Sequence, residues 1–339
     1  MKRISSLIAA SLLAMTTTTV QATGKCYVLA FSSGDETAAY QAGALSGIAN
    51  SKLTPDQYAY DSVSGISGGA INAVILSNYS KGEEKAAAAR MEQFWSDAAN
   101  TNLYKSWFGG VARGLFFEGG LYNSAPLEDF LTKQFKGMTP SRDLDMGITD
   151  VVTGAYKEFS SDNITAGANL HDALYASLSF AGFFPPADVL NSYFFDGSAV
   201  WDIDIFSGVN RCKDKGFSNE DIVVDVVMTS SANLKEVDAE NYKSVQMLFR
   251  YLEISSFYNS MDGILRAKFA YQGVDFRYAI APTAAIPSSL TPMVSSGLFN
   301  SMLLTQFIST LEHEPKRHGG RLRCWREGCS GLDKRQEHH

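Results

Sequence analysis

Ser64-Gly65-Ile66-Ser67-Gly68-Gly69-Ala70-Ile71-Asn72-Ala73 sets a serine inside a G-x-S-x-G pattern. Upstream, residues 58–64 read as a strand. Downstream, residues 68–80 read as a helix of small and apolar side chains that must pack close to a sheet. A strand turning straight into a helix forces strained backbone angles at the junction. Small neighbours at Gly65 and Gly69 let the chain pass while Ser67 points outward. The helix start adds N–H groups without acceptors and the positive end of a dipole beside that serine.

Outward from this junction, short apolar runs alternate with helix-period segments. Residues 26–31, 148–155, 193–195, 222–228 and 275–281 read as strands, with a turn and residues 156–159 following the second of these. Residues 37–49, 84–98, 170–178 and 245–266 read as helices, and 297–311 as a closing helix. Ser124 as a cap and Pro126 in a first turn open one more, which runs through residue 135. The alternation predicts an α/β fold with a mostly parallel central sheet covered on both faces. Residues 103–122 are aromatic and Gly-rich, with Trp107, Phe108, Phe116 and Phe117. A core role is the first expectation for these rings, and an acyl groove or lipid-facing lid the second.

At 339 residues and 45% hydrophobic content the chain has ample material for a large core. Lys2 and Arg3, an apolar run over residues 4–15 and the small residues around Ala22 predict a signal peptide over 1–22 and a secreted product. Residues 23–312 then form the catalytic domain, and the polar tail 313–339 is expected to be disordered. The formal net charge is -7, and the tail's excess of basic residues means the body is more acidic still. Nucleic acid is an improbable partner for such a surface, and strongly anionic membranes are disfavoured, so attraction to lipid must come from apolar contact. The four cysteines match no zinc ribbon or finger. Cys26 and Cys212, each placed at or shortly before a strand start, either pair in an oxidising compartment or remain free thiols.

A serine hydroxyl needs a base before it attacks. Between residues 23 and 312 the chain has one histidine, His171, at a helix start in Asn169-Leu170-His171-Asp172, where a polar residue has an ordinary structural reason to be. The other four histidines lie in the tail, so a histidine-dependent esterase would have to place its catalysis there. The shortage points to a serine–aspartate pair. Asp196 follows the apolar run Tyr193-Phe194-Phe195 and precedes Gly197, which sets its carboxylate at a strand end, where sites of open α/β sheets lie. The loop Ser32-Ser33-Gly34-Asp35-Glu36-Thr37 leads from a strand into a helix and is placed to aim N–H groups at an oxyanion, with Gly68 after the serine. Asn163-Ile164-Thr165 matches a glycosylation acceptor, as does Asn78-Tyr79-Ser80 in a more enclosed setting.

In this order the blocks resemble the patatin-like phospholipase family. Residues 30–34 and 39–43 resemble its oxyanion loop and following helix, 64–73 its nucleophile elbow, Ala176-Ser177 with Phe183-Phe184-Pro185-Pro186 its loop ahead of the aspartate, and Asp196-Gly197-Ser198 its aspartate turn. The resemblance implies a three-layer α/β/α sandwich and hydrolysis of acyl esters in phospholipids or other lipids, at a membrane or micelle surface, without metal or cofactor. Carried across, Ser67 is nucleophile, Asp196 is base, and Gly34 and Asp35 supply oxyanion N–H groups. The family's loop has several glycines, an arginine and a glycine where this chain has Ser33, Asp35, Thr37 and Ala38. Two acids beside an oxyanion leave open a second reading, a weak or silent lipid-binding protein on the same fold.

Overall fold

The computed structural model describes residues 24–286 apart from 232, 233, 235 and 285. The expected signal peptide, the helix expected over 297–311 and the tail lie outside the described residues. The first half runs β1 (Cys26–Phe31), α1 (Ala39–Ala49), β2 (Ser62–Ile66), α2 (Gly68–Ser77), α3 (Glu84–Ala99), α4 (Gly110–Phe117), α5 (Ala125–Phe135), β3 (Asp143–Asp150) and β4 (Tyr156–Ser160). There follow α6 (Ser161–Thr165), α7 (Leu170–Leu178), β5 (Ala187–Val189), β6 (Ser192–Asp196), α8 (Phe206–Asp214), β7 (Ile222–Val227), α9 (Ser244–Ala270) and β8 (Asp275–Ile280).

The strands form one sheet in the order β5-β6-β3-β2-β1-β7-β8, with β4 also paired to β3. Strands β3, β2, β1, β7 and β8 run parallel. Antiparallel pairing is confined to β4 and β6 on β3, and β5 on β6. Period-two alternation decides which residues face which layer. On β1, Leu29 and Phe31 join a core built with α1, α2, α3, α5 and α7, while Cys26, Val28 and Ala30 face a smaller core with α8 and α9. Two buried layers around one mostly parallel sheet make the three-layer α/β/α sandwich. Among the described residues no helix is long and apolar enough to cross a membrane.

The structure departs from the sequence expectations in several places. The strand expected over 148–155 breaks at Asp150, whose Oδ1 accepts the N–H groups of Val152 (3.0 Å) and Thr153 (2.9 Å), turning the chain back as β4. Ser124 does not cap α5 with its side chain; its hydroxyl bonds instead to Tyr175 and Glu128. Cys212 lies within α8 rather than just before a strand, and a disulfide joins it to Cys26 across a Cα–Cα distance of 6.0 Å. The first expectation for the 103–122 stretch, a buried role, fails for three of its rings: Phe108 is 95% exposed, and Phe116 and Phe117 are exposed as well, whereas Trp107 is half-buried with its ring N–H donated to the Gly120 carbonyl at 3.0 Å. α4 packs through Gly114 on the Leu121 backbone, where a Cβ would stand 2.4 Å from the Leu121 carbonyl oxygen, and the three phenylalanine rings face solvent. Asn163 is exposed on α6, where its Oδ1 accepts the Ser160 N–H at 2.8 Å.

Candidate active site

Ser67 joins β2 to α2 with φ 55° and ψ -127°, a region other residues avoid. The surrounding glycines are required by close approach. A Cβ on Gly65 would stand 2.3 Å from the Gly69 carbonyl oxygen, and one on Gly69 would stand 2.3 Å from the Ser32 carbonyl oxygen. The elbow is therefore pressed directly onto the loop that follows β1. Ser177, at the far end of α7, fixes it from another side: its Oγ accepts the Ser67 N–H at 3.0 Å and donates to the Gly147 carbonyl at 2.7 Å.

Asp196 ends β6 and lies level with Ile148 of β3. Because β6 is antiparallel to β3, the general rule about carboxyl ends of parallel strands does not place this carboxylate. Close packing does. A Cβ on Gly197 would stand 2.6 Å from the Gly147 backbone, so only glycine lets the turn fold against β3. Gly147 is in register with Ile66, the residue before Ser67. Ser67 and Asp196 are thus brought together across β3, both buried.

The Asp196 Oδ1 accepts the Ser198 N–H at 2.8 Å. Its Oδ2 is buried and has no hydrogen-bond partner, while the Ser67 hydroxyl stands near enough to lower the carboxyl's pKa. Burial is the larger influence and pushes the Asp196 pKa up from 3.8 to about 6.

The loop after β1 brings Gly34 and Asp35 to the elbow. A Cβ on Gly68 would lie 2.5 Å from the Asp35 carbonyl oxygen and 3.1 Å from the Asp35 nitrogen. Asp35, at φ 43°, opens a 3-10 turn and Gly68 opens α2, so neither N–H has an acceptor in its own helix. Burial, then the charges of Glu36 and Asp196, push the Asp35 pKa up to about 8.

Sequence reasoning did not single out the groups that hold this loop. Asp202 is buried; its carbonyl accepts the Ser33 N–H at 2.8 Å, and its carboxylate accepts the hydroxyls of Ser33, Ser256 and Ser260. Thr229 Oγ1 donates to the Ser33 carbonyl at 2.6 Å. Behind the loop, the Gln41 amide donates to the Ser32 carbonyl at 2.8 Å, and Asn72 and Trp95 continue the chain of bonds into α2 and α3. The only early signal was polar type inside apolar context, as at Asp202 between Trp201 and Ile203.

His171 stays apart from this cluster. It lies in the first turn of α7 with Asp172 Oδ1 at 3.3 Å, six residues, or about 9 Å of helix rise, from Ser177. The four tail histidines lie outside the described residues. A cleft of about 320 Å³ between α5, α7 and β5 is lined by Trp107, Tyr175, Pro185 and neighbours, without Ser67 or Asp196. It is separate from the serine.

A comparison with curated proteins finds no match. Among solved structures, VipD from Legionella pneumophila is similar at 11% identity over 86% of this chain and 68% of that one, with a TM-score of 0.35, too distant to bear on function. The family model described as patatin-like phospholipase matches residues 29–206, which span β1 to the start of α8 and contain Ser67, Asp196 and the loop between β1 and α1. On that match, covering more than half of the chain, the protein belongs to the patatin-like phospholipase family, whose members are lipid ester hydrolases.

Proposed function

We propose that the protein is a secreted lipid acyl hydrolase of the phospholipase A or lysophospholipase type, in which Ser67 is the nucleophile and Asp196 its base. One observation carries the reading: a strained serine at the head of α2 stands beside a buried carboxylate whose Oδ2 accepts no hydrogen bond. A carboxylate at its ordinary pKa is a weak base. Raised to about 6, it comes closer to the range where it accepts a hydroxyl proton efficiently at neutral pH.

In the first step the Ser67 proton passes to Asp196 while Oγ bonds to the ester carbonyl carbon, and the carbonyl oxygen takes the negative charge. The N–H groups of Asp35 and Gly68, with Gly34 alongside, hold that oxyanion. When the tetrahedral species collapses, the bond to the alcohol breaks and the alcohol leaves with the proton from Asp196. A water then gives its proton to Asp196 and its oxygen to the acyl carbon. The fatty acid departs as the proton returns to Ser67.

The acids in the loop favour a second reading, a silent lipid-binding protein. The raised pKa of Asp35 weighs against it, because a carboxyl with a pKa of about 8 is mostly neutral at pH 7 and does not oppose the oxyanion with a full charge. Export is supported by the charged, apolar and small-residue order of residues 1–22, and by the Cys26–Cys212 disulfide, which suits an oxidising compartment. N-terminal sequencing of the secreted product should begin near Thr23. The function is tested by measuring fatty-acid release from a panel of phosphatidylcholine, lysophosphatidylcholine and neutral glycerides, with Ser67→Ala as control. Release by the wild type alone supports the hydrolase; bound lipid without release by either protein leaves the silent reading.

A further inference from the structure

Residues 105–123 form an arm whose base is closed by a reciprocal backbone pair, Lys105 N–H to Asn123 carbonyl at 3.1 Å and the reverse at 2.9 Å. At its tip, α4 and the residue before Gly109 turn Phe108, Val111, Leu115, Phe116 and Phe117 to solvent, from 49% to 95% exposed. So large a share of exposed apolar side chains on one short element is unusual for a surface with no partner.

The foot of the arm stands on the loop between α7 and β5, which also holds the Asp196 strand. The N–H groups of Leu121 and Tyr122 donate to Gly182 and Phe183 at 3.0 and 2.9 Å, and the same loop's Ser179 carbonyl accepts the Asp196 N–H at 3.1 Å. The Tyr104 ring adds to this seam by packing on Tyr122 and Phe184. Charge sets the arm apart as well. From Tyr104 through Phe117 it carries Lys105 and Arg113 and no acid, in a chain of net charge -7; the neighbouring Glu118 pairs with Arg113.

We propose that this arm is a docking surface for a zwitterionic lipid–water interface, seating its aromatic tip at headgroup depth and holding the Ser67 site against the lipid. Short amphipathic elements with aromatic tips and a few basic residues bind such interfaces through buried apolar area. The rest of the chain is acidic, so a zwitterionic surface fits and a strongly anionic one does not. The proposal rests on the lipid-hydrolase reading for its purpose, but docking is measurable without turnover.

The test uses the full chain carrying Ser67→Ala, mixed with phosphatidylcholine vesicles and separated by flotation. The parent should float with the vesicles, and Phe108→Ser/Phe116→Ser/Phe117→Ser together should weaken partitioning roughly 30-fold or more. Phe108→Ser alone, at a position 95% exposed and so without consequence for folding, should weaken it several-fold. With Ser67 restored, the triple variant should hydrolyse a short-chain monomeric ester within about twofold of wild type while vesicle hydrolysis falls in step with binding. Vesicle binding unchanged by either set of substitutions overturns the proposal. So does a sedimentation experiment in which the parent is a dimer that the triple variant converts to monomer, since the face would then belong to a second copy. Binding lost as expected, with no ester hydrolysed by any protein, supports docking and removes the hydrolase reading instead.

Discussion

Replacing Asp196 by Asn should stabilise the protein with rising pH while removing turnover. The folded-state pKa of this carboxyl is raised from 3.8 to about 6, chiefly by burial. Below about pH 4 the group is protonated in both the folded and the unfolded chain, and its contribution to stability is fully present. As pH climbs from about 4 to about 6, the unfolded chain releases this proton before the folded chain does, and wild-type stability falls. By neutral pH the loss attributable to Asp196 amounts to roughly 3 kcal/mol. Asparagine has no proton to lose, keeps the acceptor for the Ser198 N–H and turns an amide toward the Ser67 hydroxyl. The stability difference between Asp196→Asn and wild type should therefore widen by roughly 3 kcal/mol in favour of the variant between about pH 4 and pH 8. Urea unfolding of both proteins at a series of pH values measures it, and any pH-independent cost of the substitution subtracts out. The kcat/KM of the wild type should rise through about pH 6 as the base ionises, and the variant should fall short of it by about 10²- to 10⁴-fold above that pH, with the gap narrowing below it. A difference in stability that does not change with pH, or that favours wild type increasingly as pH rises, would refute the reasoning.

Breaking the disulfide with Cys26→Ser should cost roughly 2–5 kcal/mol in urea unfolding, because the bridge closes a loop between residues 186 apart in sequence. Gly69→Ala should cost roughly 1–3 kcal/mol and most of the activity, since its Cβ meets the Ser32 carbonyl at 2.3 Å, whereas Gly47→Ala on α1, with nothing within 4 Å, should be neutral or mildly stabilising. Ser67→Gly should be about 1 kcal/mol more stable than Ser67→Ala, because glycine accepts φ 55° without strain. Asp202→Ala should lower kcat on the order of tenfold or more with KM nearly unchanged, through release of Ser33 and the loop it anchors, and Asp202→Asn should recover part of the loss.

The family and its layered architecture were legible because they rest on local patterns. Alternating apolar runs gave the parallel strands, and Gly65, Ser67 and Gly69 marked a junction that only small residues can pass. The scarcity of histidine directed attention to Asp196, and the structure brings that residue and Ser67 together. What remained hidden depends on partners far apart in sequence. The reason Gly197 must be glycine is Gly147, fifty residues earlier, on a neighbouring strand. Asp202 acquires its meaning from Ser33 on one side and Ser256 and Ser260 on the other. Asp225 sits in the run 222–228, whose β-branched pattern predicted an apolar interior strand; it is fully buried there and satisfied by Arg277 and the Tyr60 hydroxyl. The exposed rings of α4 defeat composition altogether, since an aromatic stretch looks the same in sequence whether it faces a core or a lipid.

The central claim, a nucleophilic hydroxyl at residue 67, is tested most directly by covalent labelling with a fluorophosphonate followed by peptide mass spectrometry. The adduct should sit on Ser67 alone, disappear in Ser67→Ala, and form far more slowly in Asp196→Asn. An adduct on another residue, or labelling at full rate in Ser67→Ala, would contradict the account.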